Sequence, residues 1–507
     1  MNDGRVNNAI RNTKWGMIRI FLNTLMPFVV RTLLIHTLSA SYAGLSSLFT
    51  SILSVLSLAE LGFSNAIGYS MYKPVAENDR KKICALLAVY RKAYRAIGLV
   101  ILLTGSLAAL FLPSLIQSDL PDAVNLYVLY FIYLMDLLIG YFLYGYQTCL
   151  LSVHQREDIV SRNALIAGFA LRAMQCVTLL LFRNYYVFVV LIPVTTVLQN
   201  GLNHRSVRKL YPDLVPEGKI SREEKNELKR NIAGLTIWKI GSATRNTFDS
   251  IVISMFLGLV PVAIYNNYMM IVGGVSSLLG VVSHSMLAGV GNKIATEEPE
   301  TNYRDFRKFH FLYMWLAGWC TVCLACLFQP FMRLWMGRDM TVPDEIMFLF
   351  CYLFFMLKQG DINSVYYQAA GLWWQGKWRS VIEAGSNLIL NLVLGKLLGL
   401  AGILLATIIS YTIAYFYGSR FTFTCYFRNK GLSVFYLDNL RYLLVTAMTG
   451  FLTIQICRIA GSDVVSAVIC LIFPNLVFLL IYGSNSTCRG WLKYACDRIL
   501  KKGLANG

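Results

Sequence analysis

The feature that most constrains this chain is a series of uninterrupted apolar runs, each about twenty residues long. A run of that kind does not alternate, so it cannot be a half-exposed strand. It is also about twice the length of a strand that lines a membrane barrel. About fourteen such runs follow one another, at 15–35, 44–70, 96–116, 125–150, 163–182, 185–201, 232–258, 264–291, 308–329, 344–368, 380–398, 401–420, 438–460 and 464–483. In hydrocarbon only a helix satisfies every backbone polar group within one segment. The expected fold class is therefore an all-α polytopic membrane protein. Composition closes the alternatives: the chain is 56% hydrophobic and only 14% charged, with mean hydropathy +0.54, against about 25% charged residues in a soluble domain. A cytosolic enzyme, a secreted disulfide scaffold and a disordered chain are excluded.

The net charge of +19 has the sign of a nucleic-acid binder, but its placement argues otherwise. With the spans above, about 35 of the 46 Lys and Arg residues fall on one side of the membrane. They lie at the N-terminus, in 71–95, in 202–231 and in the later loops and tail. The other side holds Arg183, Arg333, Arg338, Lys396 and Arg458. The positive-inside rule then puts both termini in the cytoplasm, and the charge is a topology signal, with no nucleic-acid partner. The first run follows Lys14 and contains Arg19 and Arg31, which is not the pattern of a cleavable signal peptide.

The largest hydrophilic stretch, Asn203–Asn231, falls after the sixth span and reads as a linker between two six-span lobes. This gives an N-lobe at 1–218, a C-lobe at 219–430, and two additional spans with a tail at 431–507. Residues 73–95 carry Ile83, Leu86, Leu87 and Tyr90 at helical spacing among Lys and Arg. The expectation there is a cytoplasmic helical extension lying on anionic headgroups. Cys320, Cys323 and Cys326 recur every third residue inside an apolar helix with no fourth ligand nearby, so packing is expected there.

Charges inside spans carry the functional signal, because each costs roughly 2.5–3.5 kcal/mol at a helix centre and must face an interior or a partner. The basic ones are Arg19, Arg31, Arg172, Lys239, Arg245 and Lys358; the acidic ones are Glu60, Asp136, Asp249, Asp361 and Glu383. Arg19 and Arg31 flank Pro27, and Lys239 and Arg245 flank Gly241-Ser242. Both are interruption chemistries, at corresponding places in the two halves. Paired interrupted helices point to a transport site, and here both are cationic. A cationic cavity suits a phosphate or pyrophosphate. The expected substrate-binding residues are Arg19, Arg31, Lys239 and Arg245, supported by Lys358 and Arg172. Glu60, Asp249, Asp361 and Glu383 are candidates for holding a coupling Na⁺ or H⁺. No cofactor or metal is expected. Tyr366, Tyr367, Trp373, Trp374 and Trp378 form either an interfacial belt or a platform for sugar rings.

Two stretches carry a family resemblance. The first runs from Tyr42-Ala-Gly-Leu45 through Glu60-Leu-Gly62 and Ala66-Ile67 to Tyr72-Lys-Pro74. The second runs from Phe248-Asp-Ser-Ile-Val-Ile-Ser through Leu257-Gly258 to Tyr265-Asn-Asn-Tyr268. Together they resemble the Wzx/RfbX-type polysaccharide flippases of the multidrug/oligosaccharidyl-lipid/polysaccharide exporter superfamily. The resemblance implies two six-helix lobes in a V-shaped arrangement plus two C-terminal helices, in the bacterial cytoplasmic membrane. It implies a polyprenyl-pyrophosphate-linked oligosaccharide as substrate, moved from the cytoplasmic to the outer leaflet by alternating access. Membrane lipids, a glycan polymerase and assembly proteins are the implied partners. An exporter of lipid II or of another substrate is the nearest alternative. A membrane-embedded glycan polymerase or transferase is disfavoured, because the five histidines (36, 154, 204, 284, 310) are scattered without catalytic or metal spacing.

Overall fold

The computed structural model describes residues 25–57, 63–117, 120–121, 124–226, 228, 247–372, 375–376, 378–483 and 489. Among them there is no strand. The helices are α1 (Leu25–Thr37), α2 (Ala40–Leu56), α3 (Phe63–Ala76), α4 (Arg80–Ala109), α5 (Leu126–Phe142), α6 (Thr148–Val153), α7 (Glu157–Leu181) and α8 (Tyr185–Leu210). They continue as α9 (Thr247–Leu257), α10 (Leu259–Thr296), α11 (Pro299–Met336), α12 (Asp344–Gln359), α13 (Asp361–Ala369), α14 (Trp378–Phe421), α15 (Leu432–Ala460) and α16 (Asp463–Tyr482).

Where the expected spans fall on described residues they overlap these helices; 15–24, 58–62 and 232–246 lie outside the described residues. Among the described residues seven helices are long and apolar enough to cross a bilayer, or eight if the bent pair α5 and Gly145–Val153, which turns by 48°, counts as one span. Large apolar side chains stand outward along them: Leu334 is 88% exposed, Ile459 86% and Leu480 83%. In water such a surface would aggregate; in lipid it is solvated, and the chain is a multi-pass membrane protein. α10 and α11 have 38 residues each, or about 57 Å, well beyond a hydrocarbon core of about 30 Å.

Local chemistry fixes the helix ends. Asn125 and Asn184 cap α5 and α8, each accepting from two backbone N–H groups of the first turn. Asp79 caps α4 through Lys82 N, 3.0 Å away. The two expected spans at 380–398 and 401–420 meet in α14, whose backbone breaks at Gly399 (φ 59°). A side chain at Gly402 would sit 1.9 Å from the Leu394 carbonyl oxygen, so the break admits only glycine there.

Packing divides the described chain into two compact units. One comprises residues 1–267 with 380–406, the other 268–379 with 407–507. In the first, α7 packs on α8, α8 on α5, and α5 on α4. In the second, α11 is the centre, packed against α12, α15 and α16.

The structure corrects one expectation within the first unit. Ile83, Leu86, Leu87 and Tyr90 on α4 do not lie on headgroups; all four are at most 3% exposed. The helix packs against α3 and α5, and residues 211–226 dock on it instead of looping free. Arg80 pairs with Asp213 (3.1 Å), Lys82 with Glu224 (2.6 Å), and Arg91 donates to the Pro216 carbonyl (3.3 Å). Gly218, at φ +92°, lies against Ala85. Lys82 holds the Glu224 carboxyl below its ordinary range by a hydrogen bond and by its charge.

Candidate functional site

The described residues of the first unit line two open cavities that share Asp136 and Leu137 of α5. The smaller, about 380 Å³, is walled by α2, α5, α7 and α8. α2 contributes Ser46, Thr50 and Ser54, spaced by four and so on one helical face. Thr50 and Ser54 each donate to the carbonyl four residues back, at 2.8 and 2.7 Å. Their lone pairs remain as acceptors. α7 contributes Arg172 and Gln175 one turn apart. Arg172 makes no ion pair with any described residue. Gln175 is 1% exposed, and its Oε1 has no hydrogen-bond partner. A buried, unpaired amide oxygen costs about 1–3 kcal/mol, and a polar ligand in this cavity would recover that cost.

The larger cavity, about 750 Å³, is lined by tyrosines 69, 72, 90, 94 and 141 together with Asp136, Thr148 and Asn200. No Lys or Arg lines it. Asn200 Nδ2 is buried without a partner. Asp136 accepts from Thr196 Oγ1 at 2.5 Å, so it stands as a hydrogen-bonded acid at the partition between the two spaces. Sequence reasoning named Asp136 only as an intramembrane acid. The available signal was the four-residue hydroxyl stripe on α2 and the paired tyrosines on α3 and α4.

Arg31, a candidate substrate cation, is held by acceptors within the first unit. Its guanidinium on α1 donates to Asn267 Oδ1, to Ser47 Oγ (3.3 Å) and to the Ala263 carbonyl (3.1 Å). It ties α1 to α2 and α10 through neutral acceptors, and three of its five N–H donors are occupied. Lys358 and Asp361 were assigned separate roles, as substrate cation and coupling acid. They form one ion pair of 2.8 Å across the Gly360 break between α12 and α13. Tyr313 donates to the same carboxylate oxygen.

Asp249 lies on α9 with no exposed surface. Tyr265 donates to its Oδ2 (2.6 Å) and Asn391 Nδ2 to its Oδ1 (2.7 Å); the same Nδ2 also reaches Asn387 Oδ1 (3.1 Å). Asn391 Oδ1 is buried and without a partner. Glu383, Asn387 and Asn391 form a stripe at four-residue spacing on α14, and all three are at most 3% exposed. This stripe was visible in the sequence, yet only Glu383 was singled out from it. The carboxylate and amide oxygens make an oxygen-only donor set, the kind that hard cations take. Arg19, Glu60, Lys239 and Arg245 lie outside the described residues. Tyr366 and Tyr367 are buried core residues, and Tyr366 packs edge-on to Phe306. They offer no free face to a sugar.

No protein-family model matches the sequence, and no curated protein matches it. Solved structures do. A lipid II flippase MurJ in an inward closed conformation is 15% identical, with TM-score 0.66 over 92% of this chain and 98% of that one. An inward-facing MATE-family multidrug transporter of the MOP superfamily is 14% identical, with TM-score 0.63 over 84% of this chain and 99% of that one. A MATE in complex with MaL6 is 14% identical, with TM-score 0.56 over 82% and 95%. These likenesses set the architecture: this chain has a MATE/MurJ-like all-helical fold of about fourteen helices.

Proposed function

We propose that the chain is a flippase that moves polyprenyl-pyrophosphate-linked oligosaccharide repeat units from the cytoplasmic to the outer leaflet of a bacterial inner membrane. Arg172 carries the proposal: an intramembrane cation without an ion pair among the described residues, facing hydroxyls and an orphaned amide in a cavity. A pyrophosphate offers the charge and acceptors that such a guanidinium lacks. Sugar hydroxyls match Gln175, Asn200 and the α2 stripe. The lobes, at 1–218 and 219–430, rock about the bound headgroup, while the prenyl tail stays in lipid beside the last two spans. The sequence adds Arg19, Lys239 and Arg245 as further intramembrane cations for the same headgroup, and both termini are proposed to be cytoplasmic. Moving two negative charges outward across 100 mV releases about 4–5 kcal/mol. Coupling to Na⁺ or H⁺ is assigned to the Asp249–Asn387–Asn391 oxygens. The fold shared with a lipid II flippase over 92% of this chain supports a lipid-linked cargo. A glycan polymerase and assembly proteins are the proposed partners.

A second reading has its own observation. The larger cavity is acidic and aromatic, which suits an organic cation held by Asp136 and tyrosine faces. The test reconstitutes the chain in proteoliposomes with three cargoes: a fluorescent lipid-linked oligosaccharide, a lipid II analogue and an organic cation. The proposal expects flipping of the first and a fall of about tenfold or more in Arg172→Ala, the worth of one charge-assisted contact. Movement of the organic cation alone, abolished in Asp136→Asn, would establish the second reading. Flipping of lipid II alone would reassign the cargo.

A further inference from the structure

We propose that Cys326, Cys457 and Cys470 form a three-sulfur site for a soft monovalent metal ion of the Cu(I) class, which ties the last two helices to α11. The three thiols come from three different helices, α11, α15 and α16, and their Sγ atoms all lie within 4.8 Å of one another. Spacing along α11 alone had left Cys326 without partners. The partners arrive from residues 131 and 144 positions later in the chain, which no local motif reveals.

The surroundings hold the triangle in place. Cys470 is fully buried, and its carbonyl accepts from Trp319 Nε1 (2.9 Å) and from the Cys323 thiol (3.4 Å), both on α11. Two bonds to one carbonyl fix the register of α16 on α11, as outer-shell contacts do around metal ligands. On α15, the Cys457 thiol is directed at the Ser466 carbonyl (3.9 Å). Cys326 and Cys457 keep part of their surface exposed. Cys457 lies one turn from the end of α15 at Gly461, which gives an ion a route in.

The donor set selects the ion. Among the described residues no carboxylate or imidazole joins the three sulfurs. Zinc in a structural site takes four ligands, so three thiols leave it short, whereas soft thiolates select Cu(I). With metal–sulfur bonds of about 2.3 Å in a planar trigonal site, the sulfurs stand about 4.0 Å apart, inside the observed limit. Binding replaces S–H bonds by Cu–S bonds. At least two thiols release their protons to water, and the copper stays monovalent, so no oxidant or reductant is needed.

The experiment titrates the full chain, in detergent or nanodiscs and without oxygen, with Cu(I) against a competing chelator. The expected result is one Cu(I) per chain with sulfur-only coordination by X-ray absorption. Cys326→Ser, Cys457→Ser and Cys470→Ser should each weaken binding by at least about tenfold, while Cys320→Ser and Cys425→Ser leave it unchanged. If a serine variant fails to fold, the wild-type chain decides: Cu(I) should shield Cys326, Cys457 and Cys470 from alkylation and leave Cys425 reactive. Wild-type affinity in any of the three variants, uniform shielding of all cysteines, or a disulfide within the triad in place of metal binding would overturn the site.

Discussion

Breaking the Lys358–Asp361 pair should destabilise the protein, and breaking both halves together should largely restore it. The ions are 2.8 Å apart, with side-chain exposures of 8% and 27%. At an effective dielectric of about 20, that separation gives a gross attraction of about 6 kcal/mol. Desolvation of the two ions offsets much of this, and removing one partner of a buried pair typically costs about 3–5 kcal/mol. Asp361 keeps some access to water, and Tyr313 continues to donate to it, so about 2–4 kcal/mol is expected for Lys358→Met. Asp361→Asn should lose a similar amount, because it strands the ammonium. The double variant buries no unpaired charge and should lie within about 1.5 kcal/mol of the parent, since an apolar or neutral replacement of a buried pair is often close to neutral.

The assay is equilibrium unfolding in mixed micelles for all four proteins, with flipping of lipid-linked sugar measured on the same preparations. A structural pair predicts a coupling energy of about 2 kcal/mol or more, and flipping that follows stability and returns in the double variant. A cation that binds substrate predicts the opposite pattern: flipping is lost with Lys358 and does not return when Asp361 is neutralised. Additive losses below about 1 kcal/mol, with flipping abolished in both Lys358 variants, would refute the pairing argument and return Lys358 to the substrate site.

Three further outcomes follow from named contacts. A Cβ at Gly44 would lie 2.0 Å from the Leu259 carbonyl oxygen, so Gly44→Ala should force α2 from α10 and cost at least about 1–3 kcal/mol in thermal unfolding; Gly273→Ala, which meets nothing within 4 Å, is the control and should be neutral or slightly stabilising. Arg31→Lys should not rescue Arg31→Ala, because one ammonium on a flexible stem cannot serve Asn267, Ser47 and Ala263 together; equal stability of Arg31→Lys and the parent would contradict this. Docking of 211–226 on α4 should depend on pH in a fixed direction. The Glu224 carboxyl is held below its ordinary value of 4.5, so its contribution is complete above that pH and is lost as pH falls through the lowered value. Lys82 is raised above 10.5, so its contribution is complete below that pH and is lost as pH rises through the raised value. A nitroxide at Lys219 should be immobile between these limits and mobile beyond either; constant mobility in Glu224→Gln across the acid limit would confirm the carrier.

The spans were legible because their signal is local. A run of apolar residues declares a membrane helix without reference to any neighbour, and Gly399 marks the break in α14 from inside the same segment. The docking of 211–226 was not legible, because Asp213 and Glu224 meet Arg80 and Lys82 across more than 130 positions of chain, and a charged run alone reads as solvated. The site was half legible for the same reason. Asp249 and Asp361 stood out as charges, but Asn387, Asn391, Gln175 and Asn200 are neutral, and uncharged amides in apolar spans attract notice only once their partners, or the lack of them, are placed.

The intramembrane cations show why a count of such charges overstates the size of a binding site. Each such charge demands compensation of roughly 2.5–3.5 kcal/mol, but a protein can supply it in different ways. Arg31 is compensated by neutral acceptors on two neighbouring helices, and its donors are largely used. Lys358 is compensated three residues along its own chain, leaving almost no net field. Arg172 has neither kind of partner among the described residues, and around it stand one unsatisfied amide, Gln175, and hydroxyls with spare lone pairs. An anionic cargo gains most where donors are unused, so among the intramembrane cations of the described residues Arg172 offers it the most. Arg172→Ala should therefore impair flipping more than Lys358→Met/Asp361→Asn, although the double variant removes a cation as well. The unused donor, and not the formal charge, is what marks a residue as available to a substrate.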